Sequence, residues 1–230
     1  AAERLARNYM KDFMEVRCLR AGAELPIRSG DELQLHARQS QYPQTNWPIG
    51  VMDSSGKQPP KAFRGGFVSE IVRDDQSVDY SAFHSQGKIY ILRNLWETHA
   101  FRPQTLVGEA RITQVAEAVL FCLCLLQKLG ATADDLTTFS VRHGGYRGFR
   151  YLRTYQTNDT DSNEVASDDS LGAVQLPRRD FLLGDAGPLR VEPFITMTSD
   201  LFVGCDMQGI PEHHFFETSI RRFLESPGTR

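Results

Sequence analysis

Long apolar runs and an excess of charge of one sign are both missing from this sequence. The longest near-continuous apolar run, Val115–Leu126, is interrupted by Glu117, whereas a membrane-spanning helix needs about 20 apolar residues. The 26 basic and 29 acidic residues leave a net charge of −3. We therefore expect a protein without membrane contact, and the charge balance excludes a strongly basic nucleic-acid coat as a description of the whole chain.

Cysteines and short catalytic motifs are scarce as well. The four cysteines, Cys18, Cys122, Cys124 and Cys205, show no C-x-x-C spacing, so we expect buried free thiols in a reducing cytoplasm rather than zinc ligands. The phosphate loop G-x-x-x-x-G-K-[ST], the H-E-x-x-H metal motif and the G-x-S-x-G nucleophile elbow are absent. These absences favour a cytoplasmic protein with no cofactor and no catalytic activity. An enzyme whose site is assembled from scattered His and Glu residues is the alternative that stays open.

The hydrophobic pattern predicts an α+β fold. Residues 66–73, 78–84 and 88–97 form three strand-like stretches joined by short turns, which is typical of an antiparallel meander. The segment Thr113–Leu129 is apolar on nearly all sides and ends at Gly130, as expected for a long central helix that is covered by other elements. We therefore predict an antiparallel sheet packed on this helix, with additional short helices at both ends of the chain.

Turn-forming residues suggest how the chain is divided. Residues 42–64 carry four prolines and a Ser-Ser-Gly turn and are interpreted as a loop. This loop separates a helix-strand-helix subdomain at 1–41 from the main α+β domain at 65–230. Within the main domain, residues 156–172 hold five acids, no base and almost no apolar residue, so this segment is predicted to be mobile.

A basic and aromatic stretch supplies the candidate binding site. Residues 136–158 contain no acid and interleave arginines with aromatic residues. Guanidinium groups bind phosphates in a bidentate manner, and aromatic rings stack on bases, so we expect a nucleic-acid or other anionic partner held with modest, salt-sensitive affinity. The alternative is a β-hairpin whose arginines pair with the acidic segment at 159–169. The candidate contacts are Arg142, His143, Tyr146, Arg147, Arg150, Tyr151 and Arg153.

Four stretches of the chain resemble one bacterial family in the order in which they occur. Residues 13–33 (FMEVRCLRAGAELPIRSGDEL) are similar to the strand, turn and helix that close the Alba-type domain of Schlafen-like proteins, which are described as DNA-binding or ATP-binding. Residues 64–97 resemble the aromatic-rich strands that follow in that family. Residues 115–148 resemble its long helix and next strand, and residues 176–215 its last strand and helix.

The resemblance implies a role outside the catalytic part of such a protein. The matching stretches correspond to the region after the Alba-type domain, so an upstream Alba-type domain is an implied partner. We therefore expect a non-catalytic accessory or regulatory module of a nucleic-acid-associated, defence-related Schlafen-like protein. A sensing or assembly scaffold that binds a protein partner and never contacts nucleic acid is the second hypothesis.

Overall fold

The computed structural model describes most of the first two thirds of the chain and shorter parts of the last third. The described residues are 13–42, 48–53, 55–74, 77–95, 105–144, 151–153, 163–164, 173–175, 179–183, 194–195, 197–198 and 213–225. The helix predicted at the N-terminus lies outside them, as does all of the acidic segment except Asn163–Glu164.

Three helices and eleven strands make up the described fold. The helices are α1 (Gly30–Gln39), α2 (Gly108–Lys128) and α3 (His213–Glu225). The strands are β1 (Phe13–Ala21), β2 (Lys61–Phe63), β3 (Gly66–Asp74), β4 (Ser77–His84), β5 (Lys88–Asn94), β6 (Thr105–Val107), β7 (Leu136–Gly144), β8 (Tyr151–Arg153), β9 (Asn163–Glu164), β10 (Ala173–Gln175) and β11 (Arg179–Leu182).

Eight of these strands form one antiparallel sheet. Their order is β10-β7-β1-β5-β4-β3-β2, and β11 also pairs with β7. The strands β3, β4 and β5 are the predicted meander, and the α+β class is confirmed. A second, smaller sheet has the order β6-β8-β9, with β6 parallel to β8. Because β1 lies between β5 and β7, the predicted division at residues 42–64 separates strands of one continuous sheet.

The helix α2 covers one face of the large sheet. Alternate residues of β1, namely Met14, Val16 and Cys18, are fully buried on this core face, as the two-residue period of a strand requires. The ring of Phe121 on α2 packs edge-to-face on the ring of Phe83 on β4, and the two ring centres are 5.7 Å apart. The helix α2 also packs against α3, and contacts with both the sheet and a second helix explain why the helix sequence is apolar on nearly all sides.

The predicted start of α2 at Thr113 is wrong by more than one turn. The helix begins at Gly108, directly after β6, with Val107 at the N-cap position and no side-chain cap. The hydroxyl of Thr113 instead donates a hydrogen bond to the carbonyl oxygen of Glu109 at 2.8 Å, so it lies inside the helix. The predicted end is confirmed, because Leu129 is the C-cap and Gly130 adopts a φ of +96°.

The first helix, α1, has Ser29 as its N-terminal cap. The Ser29 hydroxyl oxygen accepts a hydrogen bond from the backbone N–H of Glu32 at 3.2 Å. Asp31 then lies in the first turn, where its charge suits the helix dipole. Among the described helices, none combines the length and the apolar character needed to span a membrane.

Candidate nucleic-acid interface

The face of the sheet opposite α2 carries a group of polar and aromatic side chains around β1. Strand alternation directs Phe13, Glu15, Arg17 and Leu19 to this outer face, because their neighbours Met14, Val16 and Cys18 point to the core. The register of β1 with β5 and β7 adds side chains from both neighbours. We call the resulting group the outer patch; its members are Phe13, Glu15, Arg17, Leu19, Lys88, Tyr90, Ser140 and Arg142.

A buried carboxylate lies at the centre of the outer patch. Arg17 donates hydrogen bonds from Nε and Nη2 to Glu15 Oε1 at 3.1 and 2.7 Å. Arg142 forms an ion pair with the other carboxylate oxygen, with its Nε 3.0 Å from Oε2. The Glu15 side chain is 6% exposed, whereas those of Arg17 and Arg142 are 60% and 42% exposed. Both arginine side chains therefore contact the buried carboxylate and remain partly exposed to solvent.

Each of these guanidinium groups also rests near an aromatic ring. The Arg17 guanidinium lies 5.9 Å from the centre of the Tyr90 ring, and that of Arg142 lies 5.2 Å from the centre of the Phe13 ring. Burial raises the pKa of Tyr90, and the charge of Glu15 and a hydrogen bond with it raise it further. The Tyr90 hydroxyl is therefore protonated at neutral pH and donates to the carboxylate. These contacts restrict the arginine side chains and keep the guanidinium planes oriented.

The register arranges three cations along a diagonal. On β5, Tyr90 lies directly opposite Arg17, so Lys88, two residues before Tyr90, is a diagonal neighbour of Arg17. On β7, Arg142 lies directly opposite Glu15, which is two residues before Arg17, so Arg142 is the diagonal neighbour of Arg17 on the other side. Diagonal neighbours on adjacent strands are about 7–8 Å apart. Lys88, Arg17 and Arg142 therefore follow one line across β5, β1 and β7. Such a line of cations is suited to the phosphates of an extended anionic chain.

The two adjacent residues of the predicted site lie on opposite faces of β7. Arg142 belongs to the outer patch, whereas His143 points into the core and is fully buried. Burial lowers the pKa of His143 well below its usual value, and the charge of Arg111 on α2 lowers it further. The imidazole is thus neutral at neutral pH and shielded from solvent, so in this conformation the structure does not bring Arg142 and His143 to the same surface.

The structure describes only two of the remaining predicted contacts. Tyr146, Arg147 and Arg150 lie outside the described residues. Tyr151 and Arg153 belong to β8 of the small sheet, not to the sheet that carries the outer patch. The backbone of β8 pairs with β9, which lies within the acidic segment; Tyr151 is opposite Glu164. This backbone pairing places two residues of the arginine-rich stretch beside two residues of the acidic segment.

The described cysteines support a structural role for the thiols. Cys18 on β1 and Cys122 on α2 are buried and free, and Cys124 is free and half-buried. Burial raises the pKa of the Cys122 thiol well above its usual value, and a hydrogen bond with Cys18 adds to the shift. Over the residues that the structure describes, no three His, Cys, Asp or Glu side chains lie close enough to hold a metal ion. Cys205 is outside the described ranges.

Comparison with known proteins gives no match. No protein-family model matches the chain, and no curated protein or solved structure is significantly similar to it. The function is therefore inferred from the geometry of the outer patch alone.

Proposed function

We propose that the chain is a non-catalytic accessory or regulatory module that contacts nucleic acid through the outer patch. The observation that carries this proposal is the diagonal of Lys88, Arg17 and Arg142 across three neighbouring strands. In this proposal the module acts in the cytoplasm as part of a Schlafen-like protein, beside an Alba-type domain. Its architecture is a sheet on the long central helix α2, with short helices at both ends of the chain.

The chemistry of the three cations suits phosphate recognition. A guanidinium group offers several N–H donors in a fixed plane and can hold a phosphate with two hydrogen bonds. A flat guanidinium face that rests on an aromatic ring can also stack on an exposed base. Three phosphate contacts with a single strand predict a slope of about −2 in a plot of log K against log salt concentration. The affinity is therefore expected to be modest and strongly salt-dependent.

Fluorescence anisotropy with a labelled single-stranded oligothymidylate tests the proposal. The double variant Arg17→Gln/Lys88→Gln removes two of the three cations and leaves the Glu15–Arg142 ion pair in place. We expect the salt slope to become shallower by about 1.4, because each lost phosphate contact removes about 0.7. Equal binding by the wild type and the double variant at every salt concentration would contradict the proposal.

The matched control is Arg221→Gln. Arg221 is an exposed arginine on α3, where it forms an ion pair with Glu217 at 2.7 Å. Because α3 packs on α2 and α2 covers the core face of the sheet, Arg221 is remote from the outer patch. Its replacement removes one positive charge without changing the diagonal, so the affinity and the salt slope should stay close to those of the wild type.

A protein-binding scaffold is the second candidate, and one observation favours it. Leu19 on β1 and Leu136 on β7 are both exposed on the outer face, and the register makes them diagonal neighbours. Exposed apolar side chains that lie together are typical of protein-protein interfaces. The same salt titration separates the two functions, since a scaffold of this kind shows no salt-dependent binding to the oligothymidylate.

A further inference from the structure

The carboxylate of Glu15 occupies the position that a phosphate would be expected to take between two arginines. It receives two hydrogen bonds from Arg17 and an ion pair from Arg142, each of its oxygens being used by a different guanidinium group. A carboxylate and a phosphate are equivalent acceptors for an arginine fork. The Glu15 side chain is almost completely buried and lies between the two arginines on the central strand.

We propose that Glu15 acts as an internal counter-anion that limits the affinity of the outer patch for nucleic acid; this inference rests on the proposed function. The patch has three cations and one anion among its described members, so its formal charge is +2. Arg17 donates to Glu15 from both Nε and Nη2, and the Nε of Arg142 lies 3.0 Å from its other oxygen, which leaves fewer donors for an incoming phosphate. Glu15 therefore orients both guanidinium groups and at the same time competes with the ligand for them.

Glu15 contacts the two arginines directly, whereas Glu70, a second carboxylate on the same face, does not. Glu70 also points to the outer face, and the register places it in the same row as Glu15, three strands away through Tyr80 and Leu92. Its charge lies farther from the arginine pair, so it contributes to the general field of the sheet without occupying their donors. Glu15 and Glu70 thus form a matched pair of acids on one surface.

The test compares Glu15→Gln with the wild type in oligothymidylate titrations at several salt concentrations. Glutamine keeps the shape of the side chain and removes its charge. We expect tighter binding at low salt and a log-log salt slope steeper by about 0.7, the increment for one more positive charge that is no longer neutralised by Glu15 and is available to the single strand. The ratio of the Kd at about 200 mM salt to that at about 50 mM should accordingly grow by about 3-fold.

The control variant Glu70→Gln removes the same charge from the same face. It should change the affinity and the salt slope much less than Glu15→Gln does. A thermal melt of each variant by circular dichroism shows whether it is folded, and Glu15→Leu is a second variant that removes the carboxylate from both arginines and suits a buried position. A purely structural role for Glu15 would lower both the melting temperature and the affinity, whereas the counter-anion role raises the affinity even where stability falls.

The possible results separate this inference from the function on which it rests. Tighter binding by a folded Glu15 variant supports the inference, including the case in which only the variant binds. Wild-type binding with no gain in either folded Glu15 variant overturns the inference and leaves the nucleic-acid function intact. Equal gains in Glu15→Gln and Glu70→Gln also overturn it, because the effect would then be one of net charge. If neither the wild type nor any folded variant binds, the function and the inference are both wrong.

Discussion

Replacing Asp135 with asparagine removes the negative charge from a buried ion pair that joins β1 to the turn before β7. The Nε of Arg20 lies 2.9 Å from Asp135 Oδ2, and the two side chains are only 4% and 10% exposed. The backbone N–H of Thr132 donates to the same oxygen at 2.8 Å. The carboxylate therefore satisfies two donors from different parts of the chain, and its loss would leave the Arg20 charge buried without its counter-ion.

The expected cost is a large fraction of the stability of a typical domain. Breaking a buried ion pair by removing one partner costs about 3–5 kcal/mol, and a domain is stable by about 5–15 kcal/mol in total. Asparagine keeps one carbonyl oxygen that can accept from Arg20 or Thr132, so we expect a value near the lower limit, about 3 kcal/mol. The matched control is Asp134→Asn, since Asp134 is exposed and such substitutions usually change stability by less than about 0.5 kcal/mol.

The effect should also depend on pH in a defined direction. The hydrogen bond from Arg20 is the largest of the causes that lower the pKa of Asp135, so folding favours its ionised form. The stabilisation is then fully present above the pKa of the unfolded chain, about 3.9. It is lost as the pH falls through the lower pKa of the native state. The difference in stability between the wild type and Asp135→Asn should therefore shrink below about pH 4.

Urea denaturation followed by circular dichroism measures these differences. The midpoint for Asp135→Asn should fall well below those of the wild type and of Asp134→Asn at neutral pH, with little change in the slope m. Equal midpoints for the two asparagine variants would show that the Arg20–Asp135 pair contributes nothing to folding. A difference that stays constant or grows in acid would refute the assigned direction of the pKa shift.

Two further predictions concern the core and the arginine-rich stretch. Leu126→Ala should lower the free energy of unfolding by about 2–5 kcal/mol in urea, because Leu126 is fully buried on α2; Leu35→Ala, at an exposed position of α1, should have little effect. If the arginine-rich stretch contacts the nucleic acid, as the sequence predicts, the triple change of Arg147, Arg150 and Arg153 to Ala should abolish oligothymidylate binding with an almost unchanged Tm, since surface ion pairs would contribute only about 0–1 kcal/mol each. Retained binding at low salt would remove that stretch from the interface.

The parts of the fold that were predictable are those set by local signals. The meander of β3, β4 and β5 is visible in the sequence because its turns are short and polar. In the turn between β4 and β5, Gly87 has a φ of +79°, and a Cβ atom there would lie 2.8 Å from Arg20 and 3.0 Å from Leu126. Glycine therefore meets both a conformational and a steric requirement at this position, and it marks the turn in the sequence.

The central position of β1 could not be predicted from local signals. The alternation of apolar and polar residues identifies 15–20 as a strand, but it does not say which strands lie on either side. The neighbours of β1 are β5 and β7, and the Glu15–Arg142 ion pair joins residues that are 127 positions apart in the sequence. The start of α2 was missed for a different reason, because β6 leads directly into the helix and Val107 provides no side-chain cap.

The residues of the candidate site could not be predicted from their proximity in the sequence either. A run of basic residues along a strand is divided between two faces, because successive side chains point in opposite directions. Arg142 accordingly faces solvent beside Glu15, whereas His143 is buried near Arg111. The cations that lie together come from three strands, and β1 supplies the central one. Register, rather than proximity in the sequence, should therefore guide the choice of variants for testing nucleic-acid binding.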